Sequence, residues 1–292
     1  SGADRRIEEQ RRREAEEDDR RRRENAERLR READEAERRQ REERERREAA
    51  RGAEQDRRRQ AEEGSRRARE RADEQLSRAA RAVEWEAPEE WRVPVAAALD
   101  RAGAGRMQEI GLRPLDGLRV VDGPAKPGAN GVYQVSIKKV VAGAPSKRDL
   151  EFQATLAAGQ KDSLRGAYST AYLSTNPANS AAATAVHEFG HHLHYEFRAR
   201  GKLLGDQRLL GADRTIQDTY RQTVTERRPP GASGRADKDP AGRAPTRYAR
   251  YDYQEFWSES FALYHTDRAW LQREKPESFA MVETVLELIG LK

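Results

Sequence analysis

Two patterns of polar and apolar positions divide the chain, and they change over near residue 83. Up to Ala82 the only apolar side chains larger than alanine are Ile7, Leu29 and Leu76. No apolar position recurs every 3.5 residues, so the tract lacks the seam of a coiled coil. What recurs is an acid followed four residues on by a base: Glu16–Arg20, Glu24–Arg28, Glu37–Arg41, Glu42–Arg46 and Glu62–Arg66. Each such pair adds about 0.3 kcal/mol to a helix, and many in series support a helix that is polar on every side. The tract is predicted as a long charged single α-helix or extended arm, spanning about 120 Å if fully helical. Gly52 and Gly64 are its expected weak points, at about 1 kcal/mol each.

Beyond residue 83 the chain turns apolar. Trp85, Trp91, Val93 and Val95 fall close together around Pro88 and Pro94, and 96–107 reads as a short helix after Pro94. Runs bounded by Gly and Pro then read as strands: 118–121, 132–141 with Tyr133, Val135 and Ile137 on one face, 150–156 and 168–174. From about Ser180 the period becomes helical, with helices predicted over 181–197, 253–265 and 277–289. The Pro-, Gly- and Arg-rich stretch 226–246 reads as a loop. Strands first and helices after predict an α+β domain over 83–292, preceded by the arm over 1–82.

Charge sharpens this division. Of the 292 residues, 57 are basic and 52 acidic, a net charge of +5. Residues 1–82 alone hold 28 Arg and 25 acids, so 53 of 82 are charged and the tract cannot bury a core. The interleaved signs and small net charge speak against nucleic-acid binding in spite of the basic pI of about 9.4. No apolar run approaches the roughly 20 residues of a membrane span. The first residues lack the apolar stretch of a secretory signal peptide, and Ser1-Gly2 reads as a cloning remnant, so the native start is expected elsewhere. The absence of cysteine excludes disulfides, Cys-zinc and iron–sulfur sites and thiol catalysis.

All five histidines lie beyond residue 186, four of them in His187-Glu188-Phe189-Gly190-His191-His192-Leu193-His194. His187, Glu188 and His191 form H-E-x-x-H. On a helix, residues four apart share a face, so both imidazoles can reach one metal ion. Glu188 sits about 100° around the helix, where a base for a metal-activated water belongs. Zinc lowers the pKa of such a water towards about 7, and the glutamate takes its proton. The apolar lead-in 181–186 speaks for a buried helix rather than a His-rich surface helix. The longer pattern with a third histidine fails, because His194 stands where it requires Gly and Phe197 where it requires His. The third ligand is therefore expected to be an acid on a later helix. Glu255 and Glu259 share a helix face, so one can bind the metal and the other can orient a ligand histidine. Periodicity alone leaves both assignments open. His192 and His194 read as flanking residues, His194 being nearer the ligand face, and His265 as a cap or packing residue.

The segments Glu255-Phe256-Trp257-Ser258-Glu259-Ser260-Phe261 and Tyr264-His265-Thr266-Asp267, with the H-E-F-G-H run, resemble the catalytic domain of anthrax lethal factor and its relatives, the Pro-Pro endopeptidases included. The resemblance covers roughly residues 165–290. It implies a zincin-like metalloprotease fold, Zn²⁺ as cofactor, Glu255 as third ligand and Glu259 behind the ligands, with His194 the next such neighbour. It also implies that Tyr248, seven residues before Glu255, stabilises the oxyanion or the leaving group. The segment 166–174, with Tyr168 and Tyr172, reads either as the edge strand that an extended peptide joins or as an ordinary core strand. The implied role is a bacterial toxin or injected effector whose partner is a protein substrate in a target cell, exported by a dedicated machine through the arm. The rival readings are a cytoplasmic, phage-associated or housekeeping processing protease, and a structural spacer with a structural metal.

Overall fold

The computed structural model describes residues 2–127, 129–146, 148–151, 169–172, 174–224 and 243–292. The chain is mixed α+β: a long N-terminal helix, a small four-stranded sheet, and then several helices. It divides into two compact units, Ser1–Arg66 and Arg67–Lys292.

Helix α1 covers Gly2–Ala79. In the first unit its described side chains are exposed and are laced by i,i+4 ion pairs. Glu37 and Arg41 pair as expected. The acid-first order also holds for Asp19–Arg23, Glu27–Arg31, Glu35–Arg39 and Glu43–Arg47, whereas Arg12 pairs with Glu16, Arg20 with Glu24, Arg28 with Glu32, and Arg38 with Glu42. An Arg in this tract has acids a turn away in both directions. These contacts are solvated and individually weak, so the choice between them costs little. No Cβ placed on Gly52 or Gly64 would meet anything within 4 Å, so neither glycine serves a packing contact.

In the second unit the last turns of α1 carry a packed face. Ala72, Leu76 and Ala79 are buried, at the spacing of one helix face. Strand β1 (Val83–Glu86) follows, unmarked in the hydrophobic pattern because Val83 and Trp85 alternate with Glu84 and Glu86 over only four residues. Helix α2 (Arg92–Arg101) begins two residues before Pro94, which a first turn tolerates because its N–H would be unbonded there. It stops at Gly103, whose φ of 81° is the left-handed region.

Strands β2 (Gly117–Val121), β3 (Gly131–Gln134) and β4 (Lys139–Ala142) complete a sheet of order β1-β2-β4-β3. The β1–β2 and β2–β4 pairs are parallel and β3–β4 is antiparallel, with Leu118 opposite Val140 and Tyr133 opposite Val140 on the other side. The single strand expected over 132–141 is therefore two strands. They are joined by a 3-10 turn at Val135–Ile137 and by Lys138 at φ 49°. Nothing in Val135-Ser136-Ile137-Lys138 has the composition of a turn, and the alternation of apolar residues conceals it. Lys138 is held there by an ion pair to Glu196, 2.5 Å away and largely buried. Val135 and Ile137, expected on one face with the half-buried Tyr133, are exposed.

The strand expected over 150–156 is not formed where it is described, since 148–151 is helical; its remainder lies outside the described residues. Helix α3 spans Pro177–Leu204, capped by the Asn176 side chain on the Ala178 N–H and ended by Gly205 at φ 64°. Helix α4 (Gln207–Thr223) has no counterpart among the predicted elements. Helices α5 (Tyr253–Thr266), α6 (Arg268–Glu274) and α7 (Pro276–Ile289) close the chain. Helix α3 is central: it packs against α2, α4, α5 and the β3–β4 edge of the sheet. Among the described residues no helix is long and apolar enough to cross a membrane.

His265 shows how tightly α5 is packed. Its ring stands edge-on to Phe261 and Tyr264, and its buried Nε2 has no hydrogen-bond partner among the described residues. Burial, reinforced by Arg101 and Arg268, lowers its pKa to about 4. The native state holds this ring neutral while the unfolded chain takes up a proton below pH 6.5, so stability is lost as pH falls from about 6.5 towards 4. Denaturant unfolding of His265→Leu and wild type should show the difference. Between pH 7 and 4.5 the wild type should lose about 2 kcal/mol more than the variant, and parallel losses would dismiss His265 as the source.

Candidate metal centre

Two helices meet at the candidate site. Helix α3 presents His187 and His191 on one face, and α5 brings Glu255 in its first turn. Asp252 caps α5, its Oδ1 accepting from the N–H groups of Gln254 and Glu255 at 2.8 and 2.9 Å. The run Asp252-Tyr253-Gln254-Glu255 has the spacing of a capping box, in which the glutamate would turn back to the cap. Here the Glu255 carboxylate points instead at the two histidines.

Close helix crossing makes this reach achievable. A Cβ on Gly190 would lie 3.2 Å from Phe261 Cδ1 and 3.3 Å from the Ser258 Cα, so glycine here lets α5 approach α3. The indole N–H of Trp257 donates to the Gly190 carbonyl at 2.9 Å. Phe256, Trp257 and Phe261 are fully buried around the crossing. The glycine of the H-E-F-G-H run thus belongs to packing rather than to the chemistry.

The three ligand atoms form a near-equilateral triangle. His187 Nε2 lies 3.1 Å from His191 Nε2, and each nitrogen lies 3.2 Å from Glu255 Oε2. A tetrahedral zinc ion with bonds of about 2.0–2.1 Å spaces its ligand atoms about 3.3–3.4 Å apart. The donor set and its spacing fit such an ion, and among the described residues His187, His191 and Glu255 form a group able to hold one.

Glu259, one turn beyond Glu255, is fully buried behind the triangle. Its Oε1 is 2.9 Å from His187 Nδ1. Its other contacts are the N–H of Thr170 at 2.8 Å and the Thr170 hydroxyl at 3.3 Å. Burial alone would lower the pKa of His187, but Glu255 and Glu259 overcome it and hold the ring well above its ordinary value. Glu255 is half-buried, yet the two imidazoles hold its carboxyl well below the usual range.

Glu188 points beside the triangle, almost fully buried. Burial raises its pKa, His187 and His191 pull it back, and a backbone hydrogen bond from Tyr133 also favours the carboxylate. Tyr248 opens a 3-10 turn at Tyr248–Arg250; its ring lies 6.0 Å from that of His187 and 5.1 Å from that of Tyr251. Tyr248, His187 and Glu188 line one cleft, whose far wall includes Tyr172. Tyr172 itself belongs to a 3-10 turn at Thr170–Tyr172, so the edge strand expected over 166–174 is corrected: Glu259 bonds the backbone N–H of Thr170 and ties this segment to α5 as a turn. Tyr168 lies outside the described residues. The strand at the edge beside Glu188 is β3.

The neighbouring histidines have other partners. His194 Nε2 lies 2.8 Å from Asp213 Oδ1, and Asp213 also accepts from Gln217 and faces Arg198. Burial lowers the pKa of His194 even beside that carboxylate. His194 lines the cleft without a hydrogen bond to the three ligands. His192 faces away from the cleft, between the Tyr133 hydroxyl at 3.0 Å and the Arg113 carbonyl at 2.9 Å. Burial lowers its pKa too, which keeps the ring neutral. Thr170 and Asp213 are not singled out by the sequence, and Tyr133 is read there only as a strand residue. Their partners lie 19 to 89 positions away, and no local pattern announces such pairs.

Comparisons of the chain with protein-family models, with curated proteins and with solved structures gave no significant match in any of the three.

Proposed function

We propose that the chain is a zinc-dependent endopeptidase whose second unit is a zincin-like domain. The observation that carries this reading is the triangle of His187, His191 and Glu255, with the buried carboxylate of Glu188 beside it. Bound there, zinc would supply Lewis acidity towards a peptide carbonyl and acidify the attacking water. Glu188 takes the proton from that water on its carboxylate and delivers it to the leaving amine. Its raised pKa suits both halves of the task, since a base whose affinity for protons is too low cannot hold one between the two steps. Tyr248 donates its hydroxyl proton in a hydrogen bond to the oxygen that gains charge. Glu259 holds His187 from behind through Nδ1. An extended substrate would pair with β3, which among the described residues is an edge strand of the sheet and passes over Glu188.

The resemblance to the lethal factor family supports the same roles for Glu255 and Tyr248. From it we also take the biological setting: an effector cleaving a protein in a target cell, with the arm serving delivery. The test is to load the full chain with zinc, incubate it with unfolded proteins and map new N-termini by mass spectrometry. Discrete new termini that vanish with a chelator and return with zinc are expected. A chain that binds no zinc, or whose cleavage survives chelation, overturns the reading.

A further inference from the structure

The β3–β4 hairpin lies along a single row of α3. Thr184, Glu188, His192 and Glu196 recur every fourth residue, and each meets the hairpin. A Cβ on Gly131 would fall 2.6 Å from Thr184 Cγ2 and 2.4 Å from Glu188 Oε1, so only glycine lets the strand run this close. Tyr133 bonds Glu188 through its backbone and His192 through its hydroxyl. Lys138 closes the row on Glu196.

The hydrogen bonds at His192 have a fixed direction. The Arg113 carbonyl can only accept, so Nε2 carries the proton. Nδ1 of the neutral ring is then an acceptor, and the Tyr133 hydroxyl donates to it. His192 is fully buried and is the middle member of this chain from Tyr133 through His192 to Arg113. It joins the edge strand, the helix that bears Glu188, and the segment before β2.

We propose that Tyr133 and His192 are positioning residues that fix the register of β3 against Glu188, and through it the peptide bond that is cut. The inference rests on the endopeptidase reading above. A substrate paired to β3 takes its register from that strand, and a slip of one residue moves the main chain by about 3.4 Å and turns every side chain to the other face. Tyr133 lines the cleft, but its hydroxyl is taken by His192, and both residues act through the strand. Side chains alternate along β3, so with Tyr133 turned to α3 its neighbours Val132 and Gln134 are turned away and leave the hydroxyl as the strand's one side-chain tie to His192.

The experiment compares wild type with Tyr133→Phe, His192→Gln and His192→Asn in the full chain. The first readout is amide hydrogen exchange of residues 131–134 in metal-free protein. The second is the product pattern and kinetics on one extended peptide with zinc bound. Tyr133→Phe removes one oxygen and should leave the fold intact. It should speed exchange in β3 about five- to tenfold, as expected for a lost hydrogen bond. It should also add cleavage at neighbouring bonds and lower kcat about tenfold or more with little change in KM, because the misplaced chain still binds. His192→Gln should behave alike. His192→Asn, which keeps an acceptor near the place of Nδ1, should recover much of the wild-type pattern. If Tyr133→Phe leaves β3 exchange or the cleavage pattern unchanged, the positioning role is wrong while the protease reading stands. A zinc-loaded wild type that cuts nothing overturns the protease reading, and this one with it.

Discussion

Glu188→Ala is expected to bind zinc as the wild type does and to hydrolyse peptide about 10²–10⁴-fold more slowly. The separation of the two effects follows from position. Glu188 is not one of the three converging ligands, so their triangle of 3.1 and 3.2 Å survives its removal. What disappears is the carboxylate that moves the proton. Because Glu188 is nearly buried, bulk buffer is a poor substitute for it. Glu188→Gln is the sharper companion, since it keeps the shape and the Tyr133 contact while abolishing proton uptake. Zinc content after dialysis and single-turnover hydrolysis, measured on the same preparations, make the comparison. Either variant cleaving at more than a tenth of the wild-type rate would remove Glu188 from the mechanism. Loss of zinc from Glu188→Gln would make the glutamate a ligand rather than a base.

The H-E-x-x-H run, the α3 and α5 helices that carry the site, and the two acids on α5 were legible from spacing alone, because helical periodicity is local. Residues 187 and 191 must share a face wherever a helix forms, and so must 255 and 259. What spacing could not supply is the meeting of the two helices. That depends on Gly190 and Trp257 at a crossing 67 positions apart in sequence. The misreading of 132–141 has the opposite origin. A period of two persisted across a turn, because Val135 and Ile137 within it are β-branched, and the contact that holds it is a Lys138–Glu196 pair 58 positions apart. The strand expected at 166–174, whether edge or core, is replaced at 170–172 by a 3-10 turn for a similar reason. Tyr168 and Tyr172 look like strand residues, but the backbone N–H of Thr170 is taken by a carboxylate of α5. The role of Leu76 was concealed by its surroundings. One leucine among charges reads as incidental until its partners are known, and it is buried.

Replacing the two α5 glutamates should have unequal consequences, and the order decides which is the ligand. Glu255→Ala removes one corner of the triangle and leaves two imidazole nitrogens 3.1 Å apart with no anion between them. The expected result is loss of zinc on dialysis against metal-free buffer and no peptide hydrolysis. Apo stability should change little, since Glu255 is only partly buried and its described partners are the two histidines. Glu259→Ala should invert the balance. This carboxylate is fully buried and accepts from both polar groups of Thr170, so its removal strands a buried N–H and a hydroxyl. A cost of about 1–3 kcal/mol per stranded group follows, and it falls on the fold whether or not metal is present. Zinc affinity should fall only about 10–100-fold, the usual effect of losing the group behind a ligand histidine. Two titrations read the contrast: zinc binding monitored with a chelating dye, and thermal unfolding with and without zinc. Glu255→Ala should abolish the rise in Tm that zinc gives the wild type, whereas Glu259→Ala should start from a lower Tm and still rise. The reverse pattern would move the third ligand one helical turn along α5. It would require the His187 ring to reach Glu259 through Nε2, whereas its Nδ1 is the atom that now faces that carboxylate.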